Sequence, residues 1–120
     1  MIAMLITAFH LSCLSMIESG NDDYAVGKDG EISAYQIKAS IWRDKAGGLD
    51  PHDLRTATGI AAEIWQGRVN HFVDKHKREP SDEEAYLLWN CPSHVDSPHK
   101  VEWDKAVRFK NLMHRQDAKT

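Results

Sequence analysis

The first stretch of the chain is its strongest constraint. From Met1 to Ile17 the residues are apolar apart from Thr7, His10, Ser12 and Ser15. Wound as a helix from about Ala3 to Ser19, the run shows apolar side chains on nearly every side, which places it centrally in a core. It is slightly short for a bilayer and is broken by polar residues, so no integral membrane span is expected. It also lacks the basic start and small-residue cleavage site of a secretion signal. The run closes on an acid, Glu18, and Ser19-Gly20 follows at once. A carboxyl set against apolar side chains is hard to ionise, so it can keep a proton near neutral pH. The alternative is a Glu18 carboxylate standing in water at a helix end, as most glutamates do.

With 120 residues the chain fits one domain around one core. Hydrophobic residues at 42% and charged residues at 28% describe a folded rather than a disordered chain. The net charge of −3 offers no basic surplus, so no nucleic-acid partner is expected. An acidic polymer would have to be held by hydrogen bonds and local Arg or Lys. Cys13 and Cys91 are expected as two buried thiols, because spacing alone does not establish a disulfide.

The remaining pattern is mainly α. Gly20 to Ala34 is rich in Gly, Asn and Asp, which reads as a loop with room for a short hairpin at Asp29-Gly30. Tyr35 to Lys45 reads as a short helix with Ile37, Ile41 and Trp42 on one side, ended by Gly47-Gly48. Asp50 as cap and Pro51 at the first helical position begin the longest helix. Leu54, Ala57, Ala61, Ile64, Trp65, Phe72 and Val73 form its core stripe. Pro80 ends it, and Ser81 with Glu84 makes a capping box for a helix from Asp82 to about Asn90. After a turn at Cys91-Pro92-Ser93, Ser97-Pro98 starts a last helix with Val101, Ala106, Phe109, Leu112 and Met113 inward. One domain over 1–117 is expected, with 118–120 as a tail.

Glu18-Ser19-Gly20, Tyr24-Ala25-Val26-Gly27 and Tyr35-Gln36-Ile37 resemble the lysozyme-like superfamily, and within it the soluble lytic transglycosylases and goose-type lysozymes. In that family Glu-Ser-Gly closes the first helix, a Gly-rich loop follows, and Gln-Ile opens the next helix. Downstream, Ala85-Tyr86-Leu87-Leu88-Trp89-Asn90-Cys91-Pro92 is similar to the family's Ala-x-x-x-Tyr-Asn-x-Gly segment. The resemblance implies a single lysozyme-like helical domain, monomeric and secreted or periplasmic, with any leader lying outside this sequence. Its partner would be peptidoglycan or a chitin-like glycan, with no cofactor. The reaction would be cleavage between N-acetylmuramic acid and N-acetylglucosamine. Glu18 would be the catalytic acid, Gln36 would line the cleft and Asn90 would mark its far wall. Ser19 would hold the turn or bond near the acid, and Tyr35 and Trp89 would help position sugar. A lysozyme-like domain that binds glycan, or serves in assembly, without cleaving it is the alternative.

The chemistry of a glycosidic bond suits that assignment. The bond breaks by protonation of its bridging oxygen as the sugar ring gains positive charge, and an acid kept protonated supplies the proton. Tyr24, Tyr35, Trp42 and Trp89 offer flat faces for sugar rings, although most aromatics in a small domain are core. Inverting hydrolysis needs a second carboxylate to activate water. Asp22, Asp23, Asp29, Glu31 and Asp44 are available, and Asp29 is the nominee. A transglycosylase needs none, because the sugar's own hydroxyl attacks; one clear Glu without a clear partner favours that route.

The departures bear on activity. Ser33 stands where the family carries Gly and would crowd the cleft floor. Trp89 replaces a Tyr whose phenol could bond to the acid, and Cys91-Pro92 displaces a Gly. The histidines offer no ligand pair: His71 and His76 are five apart, His94 and His99 straddle a Pro-rich turn, and no metal site is expected.

Overall fold

The computed structural model describes residues 3–119, with side chains through Arg115. Among them are five α-helices: α1 Ala8–Ser19, α2 Ala39–Ala46, α3 Leu54–His76, α4 Asp82–Asn90 and α5 Lys100–Lys119. The expected mainly α class is the one observed. No helix among the described residues is long and apolar enough to cross a membrane.

The first helix starts at Ala8 rather than Ala3. The Thr7 hydroxyl accepts from the His10 N–H at 3.3 Å, and the His10 ring accepts from the Thr7 N–H at 3.2 Å. This reciprocal cap fixes the start of the helix. Upstream, the Gln66 side chain clasps the backbone of the preceding segment. Its Oε1 accepts from the Ile6 N–H and its Nε2 donates to the Met4 carbonyl, both at 2.8 Å. Those backbone groups serve α3, so no helix forms there. Met1 and Ile2 of the apolar run lie outside the described residues.

α1 is also not the central helix. It buries Leu11, Cys13, Leu14 and Ser15, and leaves Ser12 and Met16 exposed. The central position belongs to α4, where Ala85 to Trp89 are buried without a break. α4 packs against α5 and α3, and α1 packs against the same two helices. Trp65 pins α3 to α4: it is fully buried and its indole N–H donates to the Ala85 carbonyl at 2.7 Å. Trp89 and Phe109 pack around it. The capping box at Ser81 and Glu84 forms as expected.

The second helix begins at Ala39, not Tyr35. Ile32 and Ile37 pair antiparallel and exchange backbone hydrogen bonds of 2.9 and 2.8 Å. Closing that pair across four residues forces Ser33 (φ +74°) and Gln36 (φ +55°) into the left-handed region. The hairpin expected at Asp29-Gly30 is present in reduced form. Val26 bridges Ile32, and the Gly27 N–H donates to the Glu31 carbonyl at 2.8 Å.

α3 is capped by Asp53, whose Oδ1 accepts from the Thr56 N–H at 2.9 Å. Asp50 instead accepts from the His52 N–H at 2.9 Å, so Pro51 lies in a turn before the helix. Leu54 is consequently exposed and outside the core stripe, which Val69 joins. Pro92–His94 form a short 3-10 turn. α5 starts at Lys100, with the His99 N–H donating to Glu102 Oε1 at 2.9 Å. That phase turns Val101 outward, while Ala106, Phe109 and Met113 are buried. The helix continues through Lys119, into the stretch read as a tail; Thr120 lies outside the described residues.

Candidate active site

Glu18 occupies the last turn of α1, two residues before Gly20, which ends the helix in the left-handed conformation. It is half-buried. Across from it, Tyr86 and Asn90 stand one turn apart on α4 and share a face. The Tyr86 hydroxyl donates to Glu18 Oε1 at 2.6 Å, a short hydrogen bond. The Asn90 amide donates to the same oxygen at 3.4 Å. Glu18 Oε2 receives no hydrogen bond from the described residues, which leaves it the oxygen able to carry a proton.

The electrostatics of Glu18 are a balance. Burial pushes its carboxyl above the ordinary glutamate range. The Tyr86 hydrogen bond, the Lys105 charge and the Asn90 hydrogen bond pull it back in that order, and the Glu31 charge adds to the rise. Burial wins. Tyr86 responds in kind: burial and the neighbouring Glu18 push its phenol upward, so it stays a donor.

A cleft of about 640 Å³ opens beside this pair. One wall is helical and carries Glu18, Trp89, Asn90 and Arg68. The facing wall is the loop between α1 and α2, with Gly27, Lys28, Asp29, Glu31 and Gln36. Lys105 and Lys38 complete the cationic lining. Arg68 holds the helical wall in place. Its guanidinium donates to the carbonyls of Leu88 (3.1 Å) and Trp89 (2.8 Å) and lies 5.6 Å over the Trp89 ring.

The expected site residues divide into two groups. Glu18, Gln36, Trp89, Asn90 and Asp29 line one cleft. Ser19 and Tyr35 are absent from its lining. Ser19 Oγ donates to the Ala34 carbonyl at 2.7 Å and accepts from the Asp22 N–H, so it ties the loop to the helix end. Tyr35 is buried, its hydroxyl paired with Thr58 at 2.8 Å. Trp89 shows the cleft little surface; its indole N–H donates to the Tyr35 carbonyl and Arg68 covers its ring. Trp42 is buried, and Tyr24 is exposed but stacked on His52 at 4.9 Å. Gln36 turns its amide N–H groups inward to the carbonyls of Ala25 and Ser33. Its Oε1 and Glu31 Oε2 crowd the open side of Gly27, where an added Cβ would meet them at 2.5 and 2.7 Å.

Three features go beyond the reading of the sequence. Tyr86 supplies the phenol expected to be missing at Trp89, and its i, i+4 relation to Asn90 was the available signal. Glu31 is half-buried on the cleft and felt by Glu18, whereas Asp29 is exposed. Finally, the histidines do have a thiol and an acid nearby. Cys91, His94 and Glu102 place ligand-type atoms within 4.8 Å of one another. Burial beside Glu102 pushes the Cys91 thiol up to about 12.

No family model, curated protein or solved structure matches this chain.

Proposed function

We propose that this chain cleaves the glycan strand of peptidoglycan between N-acetylmuramic acid and N-acetylglucosamine, with Glu18 as the single catalytic acid. The observation that carries this reading is the Glu18 carboxyl itself: raised by burial, anchored through Oε1 by Tyr86 and Asn90, on a residue that lines a cleft of about 640 Å³. An acid so placed can protonate the bridging oxygen and then take a proton back from the attacking hydroxyl. Lys28, Lys38 and Lys105 suit the carboxylates of a muramic acid strand despite the net negative charge of the chain. This reading carries with it a protein that works outside the cytoplasm, secreted or periplasmic.

Two routes remain after bond cleavage. In a lytic transglycosylase the sugar's own hydroxyl closes an anhydro ring. In a hydrolase, Glu31 is a better candidate than Asp29 to activate water: both line the cleft, but Glu31 is less exposed and its charge acts on Glu18. Digestion of purified sacculi followed by product mass separates them, since hydrolysis adds water and transglycosylation does not. Glu18→Gln is expected to lower release by about 10²- to 10⁴-fold, the range for losing a general acid. A wild-type protein that binds sacculi without releasing fragments has the fold and no turnover. One that does neither ends the proposal.

A further inference from the structure

A second cluster lies behind the α4 end of the cleft, and the glycan reading makes no use of it. Cys91 Sγ, His94 Nδ1 and a Glu102 carboxylate oxygen all lie within 4.8 Å of one another. Cys91 and His94 come from the 3-10 turn that follows Asn90, and Glu102 comes from the first turn of α5. His94 Nδ1 is 3.2 Å from Glu102 Oε1, yet it is shut off from solvent and makes no hydrogen bond of good geometry among the described residues. A buried ring nitrogen without a partner is costly, and it calls for an explanation. The positions of the other groups are already restrained. The His99 N–H holds Glu102 Oε1 at 2.9 Å, and the His99 ring packs edge-on against that of His94 at 5.4 Å. Metal sites commonly fix their ligands through outer contacts of this kind.

We propose that Cys91, His94 and Glu102 bind one zinc ion that fastens the α4–α5 turn beside the cleft. A thiolate, an imidazole and a carboxylate form a zinc-type donor set, whereas calcium and magnesium select oxygen alone. Around a tetrahedral zinc, nitrogen and oxygen ligands stand about 3.3 Å apart and sulfur slightly farther. The His94–Glu102 separation of 3.2 Å already meets that spacing. The sulfur, within 4.8 Å of both, would have to approach by roughly 1 Å on binding. On binding, the Cys91 S–H bond is given up, a Zn–S bond forms, and the proton leaves to solvent. A water completes the four positions. Because Asn90 and Pro92 border both the turn and the cleft, the ion would stiffen the helical wall from behind.

The test uses the full chain, reduced and stripped with a chelator, titrated with Co²⁺ and then Zn²⁺. The expected result is one equivalent of cobalt with four-coordinate visible bands and a thiolate-to-metal charge-transfer band in the near ultraviolet, displaced by zinc. Cys91→Ser removes the charge-transfer band. His94→Ala weakens binding by about 100-fold or more, since even a residue that only supports a ligand contributes 10- to 100-fold. Glu18→Gln leaves binding unchanged, which separates this inference from the glycan reading. Circular dichroism shows that each variant is folded, and zinc raises the melting temperature of wild type but not of Cys91→Ser. Absence of the thiolate band in the wild type, or its persistence in folded Cys91→Ser, overturns the proposal.

Discussion

The two walls of the cleft are built differently. The helical wall carries Glu18 and Asn90 at the ends of α1 and α4, on backbone held by helical hydrogen bonds and backed by the buried run Ala85 to Trp89. The loop wall hangs on two isolated bridges, Val26 with Ile32 and Ile32 with Ile37, and holds Ser33 and Gln36 at positive φ. Glu18, the proposed acid, sits on the helical wall, where its shielding and its partners are set by helix ends. The groups that would shape the ligand sit on the adjustable wall, as is usual for loops on a rigid scaffold. The contrast also bears on the second carboxylate. Asp29 and Glu31 belong to the wall that can shift, so neither is locked opposite Glu18.

The largest expected effect falls on the stiff wall. Glu18→Gln should lower cleavage by about 10²- to 10⁴-fold, as above, and should also raise stability at neutral pH. The folded carboxyl titrates above its ordinary value, so between the two values the unfolded chain binds fewer protons and stability falls as pH rises. Gln removes that loss. Melting curves of the two proteins should therefore diverge at neutral pH and converge in acid, below both titrations. A Glu18→Gln protein less stable than wild type at neutral pH breaks the claim that burial dominates. Next comes Arg68→Ala. It takes two charged hydrogen bonds from the last carbonyls of α4, worth about 2–3 kcal/mol, or about 10 °C in melting temperature. If the melting point barely moves, the helical wall does not depend on that clamp.

The loop wall should respond less, with a smaller loss of both stability and function. Gly27→Ala places a methyl group where Gln36 Oε1 and Glu31 Oε2 now stand. Both are side-chain ends, but Gln36 must loosen its amide hydrogen bonds to Ala25 and Ser33 to move, so stability should fall by about 1 kcal/mol. Cleavage should fall roughly 10-fold, less than the 100-fold a displaced catalytic group can cost. A fall as deep as that of Glu18→Gln would show that the loop wall is as exacting as the helical one.

What the sequence disclosed follows the range of the interactions. The α4 capping box was legible because Ser81 and Glu84 are three apart. The start of α1 was not, because Gln66, some sixty residues on, takes the backbone groups of Met4 and Ile6. The start of α2 was misplaced because pairing of Ile32 with Ile37 overrides the helical spacing of Ile37, Ile41 and Trp42. Glu18 and Asn90 were found by resemblance and brought together by the fold. Asp29 was the nominee among several acids; both it and Glu31 line the cleft, and only burial and the Glu31 charge at Glu18 tell them apart. Tyr35 and Ser19 lie beside motif residues in the chain, yet the tight turn at 33–36 turns one into core and the other into a brace.

The finest test of the contrast is Tyr86→Phe, which keeps the buried ring and deletes a single hydroxyl. Tyr86 donates to Glu18 Oε1, and a hydrogen bond to the charged form lowers a carboxyl's pKa. Without it, the Glu18 carboxyl should hold its proton to a higher pH. If Glu18 acts first as an acid, activity is lost as pH rises through its titration, so the alkaline limb of kcat/KM should move upward. The stability cost should be about 1 kcal/mol, that of one ordinary hydrogen bond. Asn90 remains as the sole donor to Oε1, at a longer 3.4 Å, and would compensate only in part. An alkaline limb that stays put, or moves down, would mean that the phenol only braces the helix pair and that the acidity of Glu18 is set by burial and Lys105 alone.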